Sequence, residues 1–200
     1  MRTASLNPAS KTRLLDAAER IMLAKGFEAT SVDEICAAAK LTKGSFFHYF
    51  DSKETLGREV LERFCTSAGR TRADCCGGAA DPLERVYRQI DAAIQRSRDP
   101  KATLGCLLGA FSQELCESHP SIRQACENGF TRWRRQFGEE LARAKAKYAP
   151  RAAFKPQELA EHFIAILEGS FILGRAARDR AVVARNLRHY RAYVRQLFGR

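Results

Sequence analysis

The chain has 200 residues, of which 45% are hydrophobic and 28% charged, the composition of a soluble globular protein with room for one ordinary domain or a small domain joined to a larger one. No run of about 18 uninterrupted apolar residues is present, which excludes a membrane-spanning helix; the opening residues Met1 to Pro8 lack the apolar core of a secretory signal, so a cytoplasmic location is expected. The seven cysteines are odd in number and show no CxxC spacing, which argues against a disulfide framework or a structural zinc site, and neither metal nor cofactor is expected.

A net charge of +11 favours a polyanionic partner. Its distribution weakens that pointer. Residues 1–53 carry eight Lys/Arg against six Asp/Glu, and most of the excess lies later, at Arg132, Arg134, Arg135, Arg185, Arg188, Arg191 and Arg195.

The periodicity is helical almost throughout, with about nine helices and no period-two alternation. A first helix is expected from near Ser10 to Gly26, with Leu14, Leu15, Ala18, Ile21 and Met22 as its buried stripe. Ser31-Val32-Asp33-Glu34 reads as a capping box opening a short helix through Ala39, with Val32, Ile35, Cys36 and Ala39 inward. A third helix is expected from about Thr42 to Tyr49. Asp51-Ser52-Lys53-Glu54 opens a longer one with Leu56, Val60, Leu61 and Phe64 on one side. Arg70 to Ala80, with Gly77-Gly78 and little apolar content, reads as a loop. Asp81-Pro82-Leu83-Glu84 restarts a helix that ends at Asp99-Pro100. Further helices are expected near 103–116, from Pro120 to about Lys147, from Pro156 to about Arg178, and from about Arg180 to Phe198.

Three short helices in about forty residues, the last two joined by the tight turn Ala39-Lys40-Leu41-Thr42, are the layout of a helix-turn-helix. Leu41 is placed to plug the junction between them. The third helix begins with Thr42, Lys43 and Gly44. Its amides carry partial positive charge, Lys43 adds a cation, and Gly44 lets the backbone come close to a phosphate. Phe46, Phe50 and Ile35 are assigned to the core.

Here the sequence resembles the tetracycline-repressor (TetR) family. The likeness rests on Gly26-Phe27-Glu28-Ala29-Thr30-Ser31-Val32-Asp33-Glu34-Ile35, on Thr42-Lys43-Gly44-Ser45-Phe46-Phe47-His48-Tyr49-Phe50 and on Ser52-Lys53-Glu54-Thr55-Leu56. It implies an all-α protein: an N-terminal three-helix DNA-binding domain over residues 1–56, and a larger helical ligand-binding and dimerisation domain over 57–200. It also implies that Thr30, Thr42, Lys43, Gly44, Phe47, His48, Tyr49 and Lys53 occupy positions that usually touch DNA. Most such contacts go to phosphates; Lys43, Ser45 and Phe47 are the candidates for base edges. Family members usually carry Tyr where this chain has Phe47, which cannot donate to a phosphate but can pack on a thymine methyl.

In the second half, the helix from Pro156 has two apolar seams. One is Leu159, Phe163, Ile166, Ser170, Leu173 and Ala177; the other is Ala160, Ile164, Leu167, Phe171 and Gly174. The last helix repeats the spacing with Val183, Leu187, Tyr190, Val194 and Leu197. Two seams imply two partners, so Ile164, Leu167, Phe171, Gly174, Val183, Leu187, Tyr190 and Val194 are expected to join a copy of the chain as a four-helix bundle, the homodimer that the resemblance also implies. Phe111, Phe130, Trp133 and Phe137 are candidates either for lining an effector cavity or for ordinary core.

Cys106 follows Gly105 at the start of an expected helix, where a thiol becomes more acidic. Gly105-Cys106-Leu107-Leu108-Gly109 resembles a stretch of some TetR-type repressors that sense electrophiles or oxidants, and the alternative is a buried inert cysteine. Vicinal Cys75 and Cys76 are a weaker metalloid or oxidation candidate.

The expected function is therefore a ligand- or thiol-responsive repressor, not an enzyme, that binds a palindromic duplex operator as a homodimer and answers to a small-molecule effector or electrophile. Two alternatives come from other classes: a thiol-dependent enzyme using Cys106 with His119 or His162, and a sequence-independent basic DNA-packaging protein.

Overall fold

In the computed structural model the described residues are 8–75, 77–78, 81–100 and 102–199. Among them nine helices and no strand are found: α1 (Pro8–Lys25), α2 (Val32–Ala39), α3 (Lys43–Tyr49), α4 (Lys53–Cys75), α5 (Pro82–Arg98), α6 (Leu107–Leu115), α7 (Pro120–Tyr148), α8 (Pro156–Ala177) and α9 (Ala181–Phe198).

Local chemistry sets most of the boundaries. Four helices start on a proline (Pro8, Pro82, Pro120 and Pro156), where the missing N–H costs nothing. After α1 the chain turns through Gly26 at φ +95, a conformation that favours glycine. Ser31 caps α2 by accepting from the Glu34 amide, and Glu34 accepts from the Ser31 amide at 2.9 Å. The same carboxylate accepts from Lys25, and these bonds hold its pKa down at about 2. Lys40 ends α2 in the left-handed region, its amide donating to the Ala37 carbonyl while that of Leu41 reaches Cys36. Asp81 caps α5 through the amides of Leu83 and Glu84.

Two boundaries differ from the sequence reading. The stretch from Arg70 is not a loop as far as Cys75, because α4 continues to that residue. Low apolar content there did not stop the helix; the stop comes from Gly77 and Gly78: the Gly77 amide turns back to the Asp74 carbonyl, and Gly78 sits at φ +77. Cys75 closes α4, while its vicinal partner Cys76 lies outside the described residues. The sixth helix begins at Leu107 rather than near 103, since Gly105 at φ +154 takes the chain out of helical conformation.

The chain forms two compact units. One takes the residues up to Cys65 together with Leu107–Glu127; the other takes Thr66–Cys106 and Asn128–Arg200. The boundary expected at 56/57 thus falls early in α4, and the compact units divide further along that helix. The first unit buries Leu14, Met22, Phe27, Ile35, Phe46, Phe50, Leu56 and Phe111 completely or almost so. In the second, α9 lies on α5 and α8 around Val86, Ile90, Phe163, Leu187, Tyr190 and Val194. The Tyr190 hydroxyl donates to the Leu159 carbonyl at 2.9 Å, and burial pushes its pKa well above the usual tyrosine range.

That packing corrects the expected dimer seam. Val183, Leu187, Tyr190 and Val194 are already covered within one chain, as are Ile164, Leu167 and Gly174, and Phe171 is half-buried. At Gly174 a Cβ would stand 3.2 Å from the Asp179 carbonyl oxygen, so its small size serves contact inside the chain. The apolar side chains left in solvent are Ile172 (50% exposed) and Leu173 (57%) on α8 and Tyr193 (42%) on α9.

Candidate nucleic-acid interface

α3 is seven residues long and its two faces differ sharply. Phe46 and Phe50 point inward at 0% and 1% exposure, whereas Phe47, their neighbour in sequence, is 55% exposed. Phe46 meets Phe47 edge-on at 5.2 Å between ring centroids and Phe50 at 5.6 Å, so the buried rings fix where the exposed one stands. More than half of the Phe47 side chain is therefore left in solvent, open to a partner.

The N-terminal end of α3 is equally open. Thr42 caps it, its hydroxyl accepting from the Ser45 amide at 3.1 Å and lying 3.2 Å from the Ser45 hydroxyl. Lys43 is exposed, with Asp33 at 2.9 Å. Such a pair in solvent is worth little and yields readily to a phosphate. A Cβ on Gly44 would meet only the Thr42 hydroxyl, at 3.7 Å, so packing within the chain does not require glycine here. Its backbone is bare on the side that faces solvent. His48 is exposed beside half-buried Tyr49, their rings edge-on at 5.1 Å.

Two expected contact residues are employed otherwise. Thr30 is buried, and its hydroxyl donates to the Gly26 carbonyl at 2.6 Å. Lys53 donates to the carbonyls of Phe27 and Thr30 at 3.1 and 3.2 Å and lies 4.3 Å from the centre of the Phe27 ring. Both hold the loop between α1 and α2. Thr42, Lys43, Gly44, Ser45, Phe47, His48 and Tyr49 remain together on or beside α3.

That loop has a third support, which sequence reasoning missed. Glu114 on α6 accepts from the amides of Phe27 and Glu28, one at each carboxylate oxygen, both at 2.8 Å. Phe27 also packs edge-on against Phe111 at 5.5 Å and His119 at 5.6 Å. A partner 87 residues away leaves no local signal. Phe111 is therefore packed in the core of the first unit, against Phe27. In the other unit Trp133 and Phe137 pack on Phe163 at 6.2 and 5.0 Å, and Phe130 is half-buried.

Residues 14–60 match the model for bacterial regulatory proteins of the tetR family, and residues 82–190, more than half of the chain, match that for the tetracyclin repressor-like C-terminal domain. The chain belongs to the TetR family. It is a DNA-binding transcriptional regulator. The transcriptional repressor DhaR of Mycobacterium sp. strain GP1 is 29% identical over 85% of this chain and 84% of its own length. The transcriptional regulator AcuR of Cereibacter sphaeroides is 30% identical over 74% and 68%. The crystal structure of regulatory protein TetR from Rhodobacter sphaeroides superposes with a TM-score of 0.80 at 27% identity, covering 90% of this chain and 95% of that one. These relatives are named as regulators, which disfavours the thiol-enzyme reading. No helix among the described residues is long and apolar enough to cross a membrane.

The candidate sensor residue sits elsewhere in the chain. Cys106 is buried and immediately precedes Leu107, the first residue of α6. Its thiol shares a hydrogen bond with Glu168 on α8, and burial pushes the Glu168 pKa up to about 7. Glu168 was not singled out from sequence, although a signal existed: it is an acid within the apolar run Ile164, Leu167, Phe171. The remaining described free cysteines, Cys36, Cys65, Cys116 and Cys126, all lie in the first unit. Burial raises the Cys126 thiol to about 11 and the Cys36 thiol above its usual value, which keeps both protonated and unreactive.

Proposed function

We propose that this TetR-family regulator is a repressor that binds a palindromic operator as a homodimer and releases it when Cys106 is modified by a thiol-reactive electrophile. The observation that carries the operator reading is the exposed end of α3: Lys43, bare Gly44 and solvent-facing Phe47, fixed from behind by buried Phe46 and Phe50. Phe47 suits a thymine methyl, Lys43 and the α3 amides suit phosphate, and His48 and Ser45 add hydrogen-bonding groups. Two copies are needed to place two such helices about one helical turn apart on one face of a duplex. Ile172, Leu173 and Tyr193 are the apolar surface available to join them.

The thiol reading rests on where Cys106 stands. It is bonded in sequence to α6, and α6 carries the Glu114 carboxylate that holds the loop leading into α2 and α3. A modification that shifts α6 bears directly on that loop. Release follows only if the modified protein favours the conformation that binds DNA poorly.

The test is a footprint on the promoter of the protein's own gene. The operator reading requires two protected half-sites that are lost with Lys43→Ala; uniform protection without sequence preference supports the packaging alternative. Protection that persists after complete alkylation of Cys106 contradicts the thiol reading alone.

A further inference from the structure

We propose that the cleft between α1 and α2 holds a backbone phosphate of the duplex, on the strand beside the groove that α3 enters. The inference rests on the reading of α3 as the operator-binding helix, and it adds a second point of attachment outside that helix.

The cleft has a volume of about 570 Å³ and is lined by Arg13, Asp16 and Arg20 of α1 and by Ala38, Ala39 and Lys40 at the end of α2. Clefts of roughly 300–1,000 Å³ accommodate small molecules, so a phosphodiester with its adjoining sugars has room. Three cations face one carboxylate, and that carboxylate is already paired: Asp16 meets Arg63 at 2.7 Å. Arg20 and Lys40 are exposed, and among the described residues neither side chain has an ion pair or a hydrogen bond.

The end of a helix is an unfavourable place for an anion, because its last carbonyls carry partial negative charge. Arg13 removes that obstacle. Its guanidinium donates to the Ala39 carbonyl and, at 3.0 Å, to the Lys40 carbonyl. Lys40 itself stands at φ +52, a conformation that glycine meets with less strain. Neither backbone conformation nor hydrogen bonding within the chain calls for a lysine there. What lysine supplies and glycine does not is a cation on the cleft.

Position identifies the anion. Lys40 lies two residues before Thr42, whose hydroxyl caps α3, so the cleft continues the surface formed by Thr42, Lys43 and Gly44. A duplex that meets this end of α3 carries its strand past Lys40. Arginine and lysine hold a phosphate through charge-assisted hydrogen bonds, and such a contact sets the register of the domain without reading sequence.

The experiment measures binding of the full chain to its promoter duplex over a series of potassium chloride concentrations, with phosphate-ethylation interference on the same complexes. The native protein is compared with Lys40→Gly and Arg20→Ala. Lys40→Gly is expected to keep or raise the denaturation midpoint, since it relieves the left-handed residue, so weaker binding is not loss of fold. Each variant should make the plot of log affinity against log salt shallower by about 2, one unit for each copy in a two-fold complex. Interference should vanish at one phosphate outside each half-site and persist at the phosphates beside α3. Unchanged slopes and interference in both variants overturn the proposal. A duplex trimmed to the half-sites and a titration with inorganic phosphate separate the two sources of a phosphate group. On the trimmed duplex the native protein should bind no better than Lys40→Gly. A difference that survives trimming and is abolished by inorganic phosphate assigns the cleft to a free anion and overturns the duplex reading. Salt slopes that differ as expected on DNA of any sequence uphold the phosphate site and remove the operator reading; an operator footprint with equal slopes does the reverse.

Discussion

Phe46 and Phe47 on α3, set beside Leu187 and Leu173 of the α8–α9 pair, show what a helical pattern does and does not encode. On α3 the inward and outward residues separate cleanly, because a helix this short has one buried side, and Phe47 is the only large apolar residue it leaves outside. On α8 and α9 nearly every turn carries an apolar residue, and spacing alone does not say whether the cover is the same chain or a second one. Leu187 is covered by its own chain; Leu173, on the seam not expected to join a second copy, is left in solvent.

The largest expected effect sharpens the first half of that contrast. Phe46→Ala removes a fully buried ring and should cost about 3–5 kcal/mol in chemical denaturation. Phe47→Ala should leave the denaturation midpoint unchanged and weaken operator binding by about 10-fold, as expected for the loss of one apolar base contact. Similar destabilisation by both substitutions would break the assignment of the two faces.

The second half is tested the same way. Leu187→Ala should cost about 2–5 kcal/mol. Leu173→Glu paired with Ile172→Glu should keep the fold and convert a dimer to a monomer in sedimentation velocity. A native protein that already sediments as a monomer, or a dimer indifferent to both glutamates, contradicts the α8–α9 surface as the interface.

A smaller effect concerns Glu168. Its folded pKa of about 7 lies above the ordinary carboxylate value, so the native state holds a proton that the unfolded chain has lost between about 4.5 and 7. Stability should therefore fall as pH rises through that window, by on the order of 2 kcal/mol. Glu168→Gln should flatten the decline, which denaturation at pH 5 and pH 8 will show. Least of all, Ser31→Ala should cost about 1 kcal/mol by removing the cap of α2.

Legibility follows the range of the interaction. The capping box at Ser31 and Glu34, the Asp81-Pro82 start and the buried Phe46 are all set by residues within a turn or so, and each was readable. Cys106 was placed correctly at the edge of α6. Arg70 to Cys75 misled because a stretch so poor in apolar residues has no periodicity to reveal a helix. Thr30 and Lys53 carried over from a family pattern as DNA contacts, yet their polar groups are bonded to backbone carbonyls. Glu114 depends on a partner brought close only by the fold, the loop at Phe27, and nothing nearby in sequence points to it; Glu168 showed in sequence only as an acid within an apolar run.

The most direct test of the account is selection of bound duplexes from a random-sequence pool by the purified chain, with Lys43→Ala in parallel. If the exposed end of α3 reads an operator in a two-fold assembly, the recovered sequences converge on an inverted repeat whose half-sites lie about 34–36 Å apart, and the variant recovers little of it. Recovery of unrelated sequences, or an inverted repeat bound equally well by Lys43→Ala, would contradict it.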